Sequence, residues 1–149
     1  MSNRIGKFFA LYKENAHLII RFFGIRMTFR FPLINQLEDC CCIPDLKRLL
    51  DNKTVFIHPV GVVISKSAVI GKNCGIYQNV TIGDGKLNPK TNRTAPIIGD
   101  NVIIYANAVV IGGITIGDNA VIGAGSVVLN DVEANTIVAG NPARVIRKK

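Results

Sequence analysis

A single pattern limits what this chain can fold into: an aliphatic residue every six positions, sustained through most of its second half. Taking Ile64 as the first, the same phase holds Ile70, Ile76 and Ile82 and, after a break, Ile98, Ile104, Val110, Ile116, Ile122, Val128 and Ala134. An α-helix, with 3.6 residues per turn, would scatter these side chains around its surface, and an ordinary half-buried strand alternates with a period of two. A six-residue period instead puts each aliphatic at the same place on successive short, flat faces. No such face can bury its own aliphatics, so the faces must stack into a solenoid.

The neighbouring phases agree. Gly follows the aliphatic at Gly71, Gly83, Gly99, Gly117 and Gly123, and Asn lies two further on at Asn73, Asn79, Asn101, Asn107 and Asn119. Both residue types tolerate the positive φ of a sharp corner. Four positions after the aliphatic come Ala68, Cys74, Val80, Val102, Ala108, Ile114, Ala120 and Ser126, mostly small or branched. Three hexapeptides close one triangular coil, which predicts an all-β solenoid. Between Ile82 and Ile98 stand about ten residues more than the repeat needs. That excess, containing Gly85, Asn88, Pro89, Lys90, Asn92 and Arg93, predicts an exposed loop over 84–97.

The first part of the chain has a different texture. Residues Ile5 to Phe23 carry apolar positions broadly on one side of a helix, Pro32 limits any helix crossing it, and Pro44 with Asp45, Leu46, Leu49 and Leu50 predicts a second short helix. The expected organisation is a mainly helical segment over 1–54, the solenoid over 55–142, and a basic tail over 143–149.

Composition narrows the partners. With 48% hydrophobic and 19% charged residues in 149, the chain has the makings of one folded domain. A formal charge of +8 suits DNA, an acidic membrane face or a polyanionic small molecule, but no nucleic-acid-binding motif accompanies it. The tail from Ala143 to Lys149 holds Arg144, Arg147, Lys148 and Lys149, which read either as a solvated basic end or as a clamp on phosphates. The thiols Cys40, Cys41, Cys42 and Cys74 have neither disulfide-scaffold nor metal-site spacing, so no metal is expected and a reducing cytoplasm is. No signal peptide is evident. Arg21, Arg26 and Arg30 interrupt the apolar stretch Leu18 to Ile34, which argues against a transmembrane span and leaves peripheral contact with the inner face of a membrane open.

Two histidines have side chains suited to base chemistry near neutrality. His17 lies in the apolar N-terminal stretch. His58 stands just before the regular repeat, between Phe56 and Gly61 where the register breaks. From the residues alone it reads as either a structural or a catalytic histidine.

Four segments settle the comparison with known families: Ile57-His58-Pro59-Val60-Gly61-Val62-Val63-Ile64, Val80-Thr81-Ile82-Gly83, Ile122-Gly123-Ala124-Gly125-Ser126-Val127-Val128 and Ala139-Gly140-Asn141-Pro142-Ala143-Arg144. In this order they resemble the hexapeptide-repeat acyltransferases, and within them the serine acetyltransferase branch and its relatives that O-acetylate carbohydrates. The resemblance implies a left-handed parallel β-helix and a homotrimer with active sites between subunits. It implies acetyl-CoA as acyl donor and direct transfer to a hydroxyl, with His58 as general base. It places Ala106, Ala124, Gly125, Arg144 and Lys148 along the CoA groove, where Ala124 and Gly125 also serve coil packing, and Asn79, Asp84 and Arg93 near the acceptor. Two departures matter. The branch has an acidic residue before the catalytic histidine, where this chain has Ile57, and an Arg-His pair where it has Thr94-Ala95. The carboxylate clamp being altered, the expected acceptor is the hydroxyl of a sugar or glycan precursor. Serine O-acetylation is the first alternative, and an inactive assembly or binding module the second.

Overall fold

In the computed structural model of the protein, residues 17–22, 25–30 and 42–149 are described, the first two segments by their backbone alone. The chain forms two compact units, Met1–Asp39 and Cys40–Lys149.

In the first unit, β1 (His17–Phe22) pairs antiparallel with β2 (Ile25–Arg30), setting Leu18 opposite Phe29 and Ile20 opposite Met27. The helix expected over Ile5 to Phe23 is therefore corrected where it is described. The run is rich in branched and aromatic residues that favour a pleated surface, Leu18, Ile20 and Phe22 also fit a period of two, and Gly24 stands between the two strands. The remainder of that helix, Pro32, Cys40 and Cys41 lie outside the described residues.

The described part of the second unit opens with Cys42, whose backbone bridges to Val63, and a short helix α1 (Leu46–Asp51) that follows Pro44 as expected and buries Leu49. Then comes the left-handed parallel β-helix, a triangular solenoid with three faces. One face stacks β4 (Val63–Ile64), β7 (Thr81–Gly83), β10 (Val109–Ile111) and β13 (Val127–Val128). The second stacks β5 (Val69–Ile70), β8 (Ile97–Ile98) and β11 (Thr115–Ile116). The third stacks β3 (Val55–Ile57), β6 (Gly75–Tyr77), β9 (Ile103–Ile104), β12 (Val121–Ile122) and β14 (Thr136–Ala139), and ends in β15 (Arg144–Lys148), which returns antiparallel on β14.

The register reproduces the repeat. Ile64 pairs with Ile82 and Val110 with Val128, eighteen residues on, whereas Ile70 pairs with Ile98 and Ile76 with Ile104, twenty-eight on. The extra ten belong to the loop between β7 and β8. Stacked through the coils, Ile76, Ile82, Ile104, Val110, Ile116 and Ile122 are fully buried. At roughly 25 cal/mol per Å² of apolar surface, this column is the main source of stability. Ala134 departs from the expected pattern: it is exposed, and Val132, bridged to Ile116 and 6% exposed, takes its place in the core. The corner after β13 is two residues shorter than the others, which shifts the phase.

Gly and Asn divide the corner work. Asn73, Asn79, Asn101, Asn107 and Asn119 adopt φ between 55° and 60°. Gly99, by contrast, has ordinary φ; a Cβ there would overlap the Asp118 carboxylate of the next coil, whose Oδ1 accepts the Asp100 N–H at 2.8 Å. Gly99 is required by close approach of successive coils and Asn101 by backbone conformation.

Candidate active site

Two corners of the triangle carry the residues that sequence analysis singles out. At the first, between the third face and the face of β4, Ile57 pairs with Tyr77 twenty residues on, yet Val63 pairs with Thr81 eighteen on. The first coil thus holds two more residues here than the coil below. The bulge is at His58 and Pro59: His58 is exposed with φ of 50°, and its carbonyl accepts the Val60 N–H at 2.7 Å. A bulky residue in the left-handed region at a two-residue bulge is a strained, outward presentation of an imidazole.

The same corner continues down the solenoid. The residues that follow the paired strands are His58, Gln78, Ala106 and Ala124, one per coil, so three positions named from sequence share one column. Successive coils stand about 4.8 Å apart, which puts Ala124 on the order of 14 Å from the His58 level. Ala106 is half-buried, and its carbonyl accepts the Gly125 N–H at 2.9 Å; Ala124 and Gly125 are exposed, and the space a Gly125 Cβ would fill is open. The column narrows from His58 and Gln78 to alanines, leaving a shallow trough. Asn79 lines its upper end, in the left-handed region, donating from Nδ2 to Asn107 Oδ1 at 3.2 Å and from its backbone to Val60.

Arg144 and Lys148 separate. Arg144 pairs with Ala139 at the end of β14 nearest the trough, beside a cavity of about 330 Å³ lined by Leu129, Val132, Val138 and Val145. Lys148 lies at the far end of β15, opposite Thr136, and its Nζ is engaged with Glu133 at 2.5 Å. That hydrogen bond, and then the charge of Lys148, hold the Glu133 carboxyl below the ordinary value. Four residues of strand, about 13 Å, divide the two cations.

Asp84 and Arg93 occupy the next corner, between the faces of β7 and β8, where the loop departs. Asp84 accepts hydrogen bonds from the Ser65 hydroxyl and from Thr94 Oγ1, the latter at 2.7 Å, which hold its carboxyl below the ordinary value. Arg93 Nη2 donates to the Ser67 carbonyl, while its Nε is buried without a partner. The loop is pinned by Asn88 Nδ2 to the Gly113 carbonyl at 2.7 Å and closed by an Asn88–Arg93 bridge. An open cavity of about 430 Å³ adjoins it, lined by Cys42, Val63, Ser65, Ser67 and Asp84. Within one chain, then, the structure groups His58, Asn79, Ala106, Ala124 and Gly125 at one corner and Asp84 with Arg93 at another, with the face of β4 and β7 between them.

Sequence reading missed three residues at the His58 corner. Tyr77 and Tyr105 pack with their rings tilted by 42° and 4.9 Å between ring centres, one position before the column. Gln78 has a side-chain Oε1 that is buried and unpartnered. The period alone does not give this: Tyr77 and Tyr105 follow the core residues Ile76 and Ile104, but Tyr77 aligns with Ile57, and Gln78 with His58, only through the two extra residues at this corner. Cys74, by contrast, is a core thiol; burial pushes it above its ordinary value, the reverse of what a nucleophile needs. Among the described residues no group of three His, Cys, Asp or Glu is placed to hold a metal, and no helix is long and apolar enough to cross a membrane.

Known proteins share this architecture. Residues 95–130 match the bacterial transferase hexapeptide (six repeats) family. Serine acetyltransferase 1, chloroplastic, from Arabidopsis thaliana is 50% identical over 93 residues, 62% of this chain and 29% of that protein. A serine acetyltransferase of Staphylococcus xylosus is 48% identical over 92 residues, 61% of this chain and 41% of its own length. The solved soybean serine acetyltransferase complexed with serine superposes with a TM-score of 0.56 at 48% identity, covering 62% of this chain and 37% of that one. The chain spans less than half the length of these relatives.

The resemblance to hexapeptide-repeat transferases of the serine acetyltransferase branch therefore holds. The sugar or glycan acceptor expected from Ile57 and Thr94-Ala95 is corrected. Relatives 48–50% identical over 92–93 residues are serine acetyltransferases, and that similarity outweighs the three altered positions Ile57, Thr94 and Ala95. A polysaccharide setting, which rested on that acceptor, loses its support with it, and peripheral membrane contact, read from the stretch Leu18 to Ile34, finds no support in these relatives.

Proposed function

We propose that this chain, whose solenoid carries the hexapeptide repeat of bacterial transferases, is a subunit of a homotrimeric serine O-acetyltransferase using acetyl-CoA. The observation that carries this reading is the 48–50% identity to serine acetyltransferases over 92–93 residues, 61–62% of the chain.

The chemistry follows from the corner. Neutral His58 accepts the proton of the serine hydroxyl as that oxygen attacks the thioester carbonyl of acetyl-CoA; collapse of the adduct breaks the C–S bond, and His58 returns the proton to the departing CoA sulfur. A strained, outward imidazole is suited to this because it must reach a ligand lying outside the coil. The Ala106–Ala124–Gly125 trough receives the pantetheine arm, with Arg144 at its lower end for the phosphates. Arg93, whose Nε has no hydrogen-bond partner among the described residues, supplies charge for the serine carboxylate. Because His58 and Arg93 stand at opposite ends of one face, these roles combine in a site only where the loop of one copy meets the His58 corner of the next. The trimer supplies that meeting.

Incubating the full chain with acetyl-CoA and L-serine should release CoA thiol and form O-acetylserine in equal amounts. His58→Ala should lower turnover by about 100-fold or more while leaving the melting temperature unchanged, since the side chain is exposed. Thiol release without O-acetylserine, or full transfer by the variant, would overturn the reading.

A further inference from the structure

Ile57 leaves the proposed base without the acidic neighbour that would fix its ring. A general base must present one ring nitrogen unprotonated toward the hydroxyl, and the hydrogen bond made by the other nitrogen decides which. The Ile57 side chain can accept nothing, and among the described residues no side chain hydrogen-bonds the His58 imidazole.

One acceptor at this corner is unused. The Ile57–Tyr77 pairing makes Gln78 the register neighbour of His58, one coil below in the same column. Its Oε1 is shut off from solvent and has no partner, although its backbone is satisfied, the carbonyl accepting the Asn107 N–H at 3.0 Å. A buried carbonyl oxygen left unpaired is destabilising, and native structures leave few such groups without a reason. Beside it Tyr77 packs tilted against Tyr105, and the column below continues in Ala106 and Ala124, whose side chains offer no donor to compete for the oxygen. The two-residue bulge at His58 and Pro59 sets this corner apart from the same corner of the coil below.

We propose that Gln78 is the positioning residue of His58: its Oε1 accepts the imidazole Nδ1–H and leaves Nε2 free to take the acceptor's proton. This deepens the catalytic reading above and rests on it for the meaning of Nε2, but the Gln78–His58 bond is a separate fact with its own observable. A neutral amide fixes tautomer and orientation as a carboxylate does, without adding the charge that would raise the base's pKa.

Imidazole nitrogen NMR of the full chain tests it. The chain has two histidines, so a His17→Gln variant assigns the His58 signals. Neutral His58 should be mainly the Nδ1–H tautomer. Gln78→Leu should move it toward the Nε2–H form and lower kcat by on the order of 10- to 100-fold with KM for serine unchanged. Gln78→Glu, nearly isosteric, should keep the Nδ1–H form, recover part of kcat and raise the His58 pKa by about half to one unit. If Gln78→Leu fails to fold, the pKa and tautomer of the Glu variant decide alone. A His58 tautomer and titration unmoved by both substitutions would overturn the proposal. Should the wild type show no serine acetylation, the catalytic reading falls while the NMR arm still reports the pair.

Discussion

Asp84 sits where the loop leaves the solenoid, and its carboxylate ties two segments together: Ser65 on the preceding coil and Thr94 at the loop's return. Because those hydrogen bonds stabilise the charged form, the folded carboxyl titrates below its ordinary value of 3.8. Its contribution is fully present above that value and is lost as pH falls through the lower folded one. Asp84→Asn should therefore flatten the acid side of the melting-temperature profile below about pH 4 and change little at neutrality; an unaltered acid limb would show that the tie carries no stability. Asp84 was legible as the start of the excursion, but its tie to Ser65 and Thr94 was not. Which hydroxyls it meets depends on register across nineteen residues, a matter of tertiary stacking rather than local pattern. Gln78 was hidden for the same reason, since it becomes His58's neighbour only once the coil length at that corner is known.

Corners and strands are the elements that the hexapeptide period encodes. The period made every strand from β4 to β13 readable, because a core column tolerates only aliphatics of similar size. It misled at the last corner, where the chain drops two residues and Val132 replaces Ala134; a period extrapolated past a deletion puts the wrong residue inside. It had no purchase on β1 and β2, where a short apolar run fits a helix and a strand equally well. The corner residues allow a sharper test. Asn101 has φ of 57°, so Asn101→Gly should be nearly neutral and Asn101→Ala should cost about 1–2 kcal/mol. Gly99→Ala has ordinary φ but would overlap Asp118, and should cost at least as much, about 2 kcal/mol or more, in urea titrations. Equal costs for Asn101→Ala and Asn101→Gly would refute the division of labour. Likewise Val132→Ala should destabilise by about 2 kcal/mol, against no measurable effect of Ala134→Ser.

For the molecule as a whole, the triangular section is itself the constraint on catalysis. A flat face holds His58 at one end and the loop with Arg93 at the other, and the rigid ladder of parallel strands between them cannot fold the two together. The face spans roughly 15 Å at strand spacing, more than a serine molecule bridges. A shared site between copies predicts complementation. His58→Ala subunits and Arg93→Ala subunits, each inactive alone, should regain activity when co-expressed. In randomly mixed cyclic trimers, a site is intact when the copy offering its histidine is the Arg93→Ala chain and the copy offering its arginine is the His58→Ala chain. Each condition holds for half the subunits, so about one quarter of wild-type turnover should return, with the same KM for serine as the wild type because the intact sites are unaltered. Mixing the purified variants without subunit exchange should restore nothing. Activity no greater than the sum of the two variants in co-expressed trimers would place both residues in one subunit's site, which the separation of the two corners forbids, or would remove Arg93 from the reaction.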